Sequence, residues 1–395
     1  VIARGGATGL VAGLAAGPDD LIVSTELMTT IEEIDTAQRV ITVQAGVPLE
    51  AAQKASEAKG LLLALDLGAR GTATAGGVVA TNAGGNRVIR YGMTRESVLG
   101  LEAVLADGTV ISSLNRMLKN NAGYDLKQLF IGSEGTLGVV SRVTFRLREI
   151  APASATALVA AQALDAVIAL LRHMDKGLGG ELTAFEVLWD SFYSTVTANN
   201  RHARPLPVGS PLYVLLEGAG TSERELDNTM TRVLGEAVEA GLATDAVIAK
   251  SAAEVAALWA IRDDVDALRG DAPQTMFDVS VPLPHMTQYL AEVEARLQAL
   301  DPDFRWWIWG HLGDGNLHIW VPQAGRLAGK HEAIEHAVYE PLKFRGGSVS
   351  GEHGIGTEKL AYLGFSRGPE ELALMRTLKH ALDPHGILSP GKVLG

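Results

Sequence analysis

No cysteine occurs among the 395 residues. That absence excludes disulfides, Cys-ligated zinc, cysteine-bound iron–sulfur clusters, a thiol nucleophile and a cysteinyl link to a cofactor. Any metal must therefore sit on histidine and carboxylate. A basic surplus is lacking too. The 34 Lys and Arg stand against 46 Asp and Glu, a net charge of −12, which argues against a nucleic-acid partner. Long apolar runs are missing. The nearest to one, Ala153–Leu171, contains Gln162 and Asp165 and reads as an amphipathic or core helix, not a membrane span of roughly 18–20 residues. No Gly-x-Gly-x-x-Gly follows a strand and opens a helix, so a Rossmann fold is not expected. No signal peptide is recognisable, and a cytoplasmic location fits a cysteine-free chain. The chain begins at Val1 inside a glycine-rich motif, which leads us to expect that an N-terminal piece is missing.

What the chain has in plenty is glycine, 44 in all, spread unevenly. Residues 1–150 hold 20, residues 151–305 hold 9 and residues 306–395 hold 15. Glycine permits positive φ and close backbone approach, so the two ends are where backbone could wrap a ligand. Hydrophobic residues at 47% and charged residues at 20% suit a globular chain of two or three domains. In residues 1–150, short β-type runs alternate with glycine turns. Leu21–Ser24, Val40–Ala45, Leu101–Leu105 and Val139–Leu147 read as strands, Leu49–Lys59 as a helix, and Asp107-Gly108 as a hairpin turn. A boundary falls near Glu149–Ser154. Beyond it, helices are expected at about 161–174, 222–241, 252–269 and 285–300. Strands are expected at Leu212–Glu217, Ala246–Ala249 and Met276–Val281, so helices over an antiparallel sheet is the natural reading. Phe304–Trp309 and Leu317–Val321 flank a turn, and helices follow over 329–342 and 369–382. The fold class is α+β, with domains at 1–150 and 151–345. A C-terminal segment, 346–395, is expected to complete the active site and pack back on the first domain.

Arg4-Gly5-Gly6-Ala7-Thr8-Gly9-Leu10 puts three glycines, a cation and a hydroxyl into seven residues. Successive N–H groups in such a loop form an anion nest, and arginine adds a charge-assisted clamp. A pyrophosphate suits it; a plain structural turn is the competing explanation. Two further clusters, Gly71–Gly85 leading to Arg90-Tyr91-Gly92, and Ile131–Val139, favour an extended dinucleotide held along its length.

The stretches RGGATGL at Arg4, GGVVATNAGG at Gly76, RYG at Arg90 and IGSEGTLGVV at Ile131 closely resemble the flavin domain of the vanillyl-alcohol oxidase and p-cresol methylhydroxylase family. By resemblance, FAD contacts fall on Arg4, Gly5, Gly6, Thr8, Gly9, Leu10, Gly77, Thr81, Asn82, Gly85, Gly135, Val139 and Val140. Family members carry a further α/β unit before the first motif, which this chain lacks. Members that bond FAD covalently often use a His in the first loop or a nearby Cys. Here Ala7 stands in the loop, so the resemblance implies non-covalent FAD.

The segment from Trp309 to Ile319, WGHLGDGNLHI, is the most informative. Asp314-Gly315 marks a tight reversal between two apolar strands, so His311 and His318 flank it closely enough to converge on one ion. Neutral imidazole is a common ligand for zinc and similar divalent ions. Glu352, in GEHGIG, supplies an oxygen ligand, and two His plus one Glu leave coordination positions open for chemistry. His353 beside it suits a general base, since imidazole titrates near neutrality. The competing explanation for each histidine is a satisfied core or surface residue.

HLGDGNLH, SGEHGIGTEK and the tail LDPHGILSPGKVL resemble the C-terminal domain of flavin-dependent D-2-hydroxyacid dehydrogenases. These include D-lactate and D-2-hydroxyglutarate dehydrogenases and the glycolate oxidase flavin subunit. The pattern implies His311, His318 and Glu352 as ligands of a divalent metal, with zinc the first choice, and His353 as base. It also implies Asn316 at the substrate and Lys392 near the flavin. Trp259-Ala260-Ile261-Arg262 resembles the segment whose Arg grips the substrate carboxylate; a surface salt bridge is the alternative for Arg262. Dicarboxylate-specific members often have Lys where this chain has Met276; Arg305 or Lys359 could substitute. The implied activity is FAD-dependent oxidation of a D-2-hydroxyacid to the 2-oxoacid. The implied partners are a small 2-hydroxyacid and a separate electron acceptor, such as a quinone or an electron-transfer flavoprotein, and a homodimer is allowed. A flavin-independent metal hydrolase and an FAD-binding subunit without activity of its own stay open as alternatives.

Overall fold

A computed structural model describes residues 1–395. Two compact units emerge: residues Val1–Ile150 with Glu352–Gly395, and residues Ala151–Gly351. No helix is long and apolar enough to cross a membrane.

The first unit is built on a five-stranded antiparallel sheet. Across it lie Ile31–Asp35, Val40–Gln44, Val139–Arg146, Val98–Val104 and Val110–Ser113. The period of two along these strands decides which side chains meet. Ile41, Val43, Leu101, Val143 and Phe145 are buried in one cluster with Leu49 and Ala52 of the helix Leu49–Glu57 and Val78 and Val79 of the helix Ala75–Thr81. Each of these larger side chains, Ala52 aside, contributes about 1.5–3 kcal/mol by leaving water. The expected hairpin forms at Asp107-Gly108, where the Asp107 carboxylate accepts from Thr109 N at 2.8 Å. A two-stranded parallel pair, Ile2–Arg4 with Ile22–Ser24, leads into the first glycine loop.

The second unit carries a seven-stranded sheet, with every neighbouring pair antiparallel. Its order is Asp245–Ile248, Ala153–Ala161, Leu212–Gly220, Leu182–Trp189, Trp307–Gly310, Asn316–Pro322 and Gln274–Ser280. Its two central strands read as near-continuous apolar runs because both faces are covered. On one face the helices Asp190–Val196 and Ala252–Asp263 close over Leu158, Leu188, Tyr213, Leu215 and Trp309. The helices Leu164–Gly177 and Glu223–Glu239 pack on the sheet as well, and Leu283–Leu300 adjoins the former.

Two expectations are corrected here. Ala153–Leu171 is not one helix. Ala153–Ala161 is a strand, and the helix starts at Leu164. Alanine, which favours helix, supplies five of the nine residues, and a nine-residue ladder to Leu212–Gly220 plus a second to Asp245–Ile248 overrode that preference. Leu182–Trp189 was not anticipated as a strand at all. The helix expected over 252–269 stops at Asp263, and a short 3₁₀ turn spans Val265–Leu268.

Candidate active site

In the first unit the three glycine loops interlock backbone to backbone. A Cβ added to Gly6 would lie 1.9 Å from the Thr72 carbonyl oxygen, so only glycine lets the first loop approach the second this closely. The third loop is tied to the second by Gly132 N to Val79 O at 3.0 Å and Glu134 N to Ala80 O at 2.7 Å. In the first loop Ala7 adopts φ 55°, and the backbone N–H groups of Gly6, Ala7, Thr8 and Gly9 donate to no protein acceptor. Consecutive unsatisfied amides around a left-handed residue are an anion nest. The donor set fits the pyrophosphate of a dinucleotide.

The same unit holds the loop bearing Glu352 and His353. Both oxygens of the Glu134 carboxylate accept from that loop, from Ile355 N at 2.7 Å and Gly356 N at 2.8 Å. Burial pushes the Glu134 carboxyl up, and the two amides and Lys359 oppose this without cancelling it. Lys359 is thus a buried neighbour of Glu134. Lys392 is buried, and its Nζ donates to Ala15 O at 2.7 Å and Pro390 O at 3.3 Å. The first glycine loop, the Glu134 loop, the Glu352–His353 loop and the C-terminal tail therefore share one framework.

In the second unit the sheet register sets up a polar row on an otherwise apolar face. Asp278 pairs with His318, and Ser280 with Asn316, across neighbouring strands. Trp309 pairs with both His318 and Leu188. His311 follows directly after the strand end at Gly310, and Gly315 at φ 81° makes the reversal. The His311 and His318 rings lie 5.4 Å apart between centroids at 81°, and both are buried. The sequence expectation that the turn brings these two together is realised.

Arg262 arrives from the last turn of the helix Ala252–Asp263. Its Nε donates to Glu186 Oε2 at 2.8 Å, and its Nη2 donates to His311 Nε2 at 3.2 Å. His311 Nδ1 meets Glu186 Oε1 at 2.7 Å. A guanidinium only donates, so Nε2 is the acceptor and Nδ1 carries the proton. Burial pushes the Glu186 carboxyl up, but His311 and Arg262 outweigh it and hold it at about 2. Trp259, one turn before Arg262 on the helix, donates to Glu217 Oε2 at 3.3 Å. Asn316 Nδ2 donates to Asp278 Oδ1 at 2.7 Å and Val279 O at 3.1 Å. Its Oδ1 is buried with no hydrogen-bond partner. Such an atom costs free energy unless a ligand engages it. A pair of buried imidazoles, one with its proton fixed on Nδ1, fits a divalent metal. Met276 is half exposed at the same strand.

Sequence reasoning missed three buried carboxylates of this face, Glu186, Glu217 and Asp278. Their signal was available: each is a lone acid inside an apolar β-type run, LTAFEVLW, LYVLLEGAG and MFDVSV.

Comparison with known proteins agrees with this geometry. Residues 1–113 match the model of an FAD binding domain, and residues 150–393 that of FAD linked oxidases, C-terminal domain. The mitochondrial D-2-hydroxyglutarate dehydrogenase of Bos taurus is 40% identical over 393 residues, covering 99% of this chain and 72% of that protein. The D-2-hydroxyglutarate dehydrogenase of Xanthomonas citri pv. viticola is 40% identical over 399 residues, covering 100% and 84%. Among solved structures, an alkyldihydroxyacetonephosphate synthase superposes with a TM-score of 0.71 at 18% identity, over 98% of this chain and 71% of that one. That likeness speaks for the fold alone.

Proposed function

The chain belongs to the FAD-linked oxidases, and on that premise we propose that it is a dehydrogenase of D-2-hydroxyacids, of the D-lactate or D-2-hydroxyglutarate type. One observation carries the proposal. A half-buried Arg262 and a buried His311 share the carboxylate of Glu186, beside a second buried histidine, His318. That is a site for a small anion and a divalent ion in a chain that also has a flavin domain.

Bound FAD supplies a two-electron acceptor, and a divalent ion, zinc in our reading, supplies a Lewis acid that eases deprotonation of a hydroxyl. Arg4 and the amides of Gly5, Gly6, Thr8, Gly9 and Leu10 receive the pyrophosphate. Gly77, Thr81, Asn82, Gly85, Gly135, Val139 and Val140 line the remainder, Lys392 lies near the flavin, and the link is non-covalent. His311, His318 and Glu352 hold the metal. Gly351 N bonds Asp278 O at 3.3 Å, and Glu352 follows by one peptide bond. Arg262 is held at Nε by Glu186 and meets His311 Nε2 through Nη2; it takes the substrate carboxylate in a bidentate pair once Nη2 gives up His311 Nε2 to the metal. Asn316, whose Oδ1 is buried without a partner, contacts the substrate. His353 takes the hydroxyl proton as the substrate is oxidised to the 2-oxoacid. The chain has no cysteine, so onward electrons go to a separate acceptor and not to an iron–sulfur centre of its own. A cysteine-free chain suits a reducing compartment, and we place it in the cytoplasm.

The test is an anaerobic panel of D- and L-2-hydroxyacids added to the FAD-loaded protein. Flavin bleaching with D acids, lost on chelation and restored by a divalent ion, is the expected result. Flavin that stays oxidised with every acid would leave only an FAD-binding subunit. Failure to take up FAD at all, with a metal-dependent hydrolysis instead, would replace the reading by a hydrolase. Bleaching indifferent to chelators would remove the metal and keep the rest.

A further inference from the structure

Glu186 is fully buried on the central strand Leu182–Trp189, where Leu215 is its partner on the neighbouring strand. A lone carboxylate in such a place costs several kcal/mol unless its oxygens are matched by donors. Here the two oxygens are divided: Oε1 takes His311 Nδ1 at 2.7 Å, and Oε2 takes Arg262 Nε at 2.8 Å. We propose that Glu186 is a positioning residue that sets the tautomer of His311 and the aim of the Arg262 guanidinium together. The proposal rests on the reading of His311 as a metal ligand and Arg262 as the carboxylate grip.

Each half follows from geometry. With Nδ1–H held on Glu186, the His311 lone pair is at Nε2, and rotation of the ring by half a turn would break a short bond to a buried charge. A carboxylate behind a ligating imidazole fixes its orientation and raises its basicity. With Nε held on Glu186, the guanidinium plane is set by the strand and not by the flexible stem of Arg262, and the same plane brings Nη2 to His311 Nε2 at 3.2 Å. One side chain therefore couples metal affinity to substrate affinity. A salt bridge that served only to clamp the helix Ala252–Asp263 to the sheet would need the charge and not this division of oxygens.

Two variants separate these roles. Glu186→Gln keeps the shape but can accept through one oxygen only. Glu186→Asp keeps the charge but draws the carboxylate back by one methylene. Zinc affinity of the FAD-loaded protein is measured by competition with a chromophoric chelator, and KM and kcat are measured at saturating zinc. Flavin absorbance and a thermal melt report whether each variant is folded. Positioning predicts zinc binding about 10–100-fold weaker in both variants, with KM raised and flavin content unchanged. It also predicts that Glu186→Gln adds no further rise in KM to Arg262→Met, because Glu186 acts through that arginine. Parent-like zinc affinity and KM in Glu186→Asp would overturn the proposal and leave Glu186 a structural counter-ion, as would parent-like values in Glu186→Gln. Should the parent hold zinc no better than its His311→Asn variant, the metal reading is what has failed. The KM comparison through Arg262 then decides Glu186 alone.

Discussion

An alanine at position 6 would carry its Cβ 1.9 Å from the Thr72 carbonyl oxygen, 2.7 Å from the carbonyl carbon and 3.1 Å from Ala73 Cα. A real Cβ stays beyond 3.0 Å, so the first and second glycine loops must part by about 1 Å. The obstacle is backbone, which has no rotamer to swing aside. Overpacking of this kind costs about 1–3 kcal/mol. In the proposed placement FAD spans both loops, so that cost is drawn from its binding energy. Gly6→Ala should therefore weaken FAD by roughly 5- to 150-fold, read by titrating apoprotein with FAD and following flavin fluorescence. Gly68→Ala, in the segment leading to Thr72, is the control. A Cβ there meets nothing within 4 Å, and its FAD affinity should stay within about twofold of the parent's. Equal FAD affinity in Gly6→Ala and the parent would refute the argument that close loop approach builds the site. Equal loss in both variants would show that glycine content and not geometry matters.

Three other expectations follow from single side chains. His353→Ala should keep FAD and slow anaerobic flavin reduction by about 10²–10⁴-fold; parent-like bleaching would remove His353 as the base. Arg262→Met should raise KM roughly 10- to 150-fold, the worth of a charged hydrogen bond, and an unchanged KM would put the carboxylate elsewhere. At Asp383, burial pushes the carboxyl up, but Lys379 and the amides of Leu388 and Ile387 outweigh it and hold it below its usual range. A lowered folded value means stability present above the ordinary aspartate pKa and lost as pH falls through the folded one. The denaturant midpoint of the parent should therefore fall between about pH 5 and pH 2 more steeply than that of Asp383→Asn; parallel curves would show that Asp383 contributes no such linkage.

The sequence by itself determined what is local. Glycine clusters, with their tolerance of positive φ and close contact, marked the loops that do interlock, and Asp107-Gly108 and Asp314-Gly315 marked reversals that do form. The reversal after His311 and the strand through His318 were legible because a turn acts over a few residues, and it brought two imidazoles together as expected. Periodic helices such as Glu223–Glu239 and Pro369–Leu382 were legible for the same reason. Tertiary structure alone decided what is long-range. Ala153–Ala161 became a strand because two other strands lay ready to pair with it, and no property of its small side chains required that. Glu186 reaches Arg262 across 76 residues and His311 across 125. Sequence spacing carries no information on such a meeting, because it is fixed by strand order and register. A lone acid in an apolar run could have been noticed, but only the sheet could say which donors it serves.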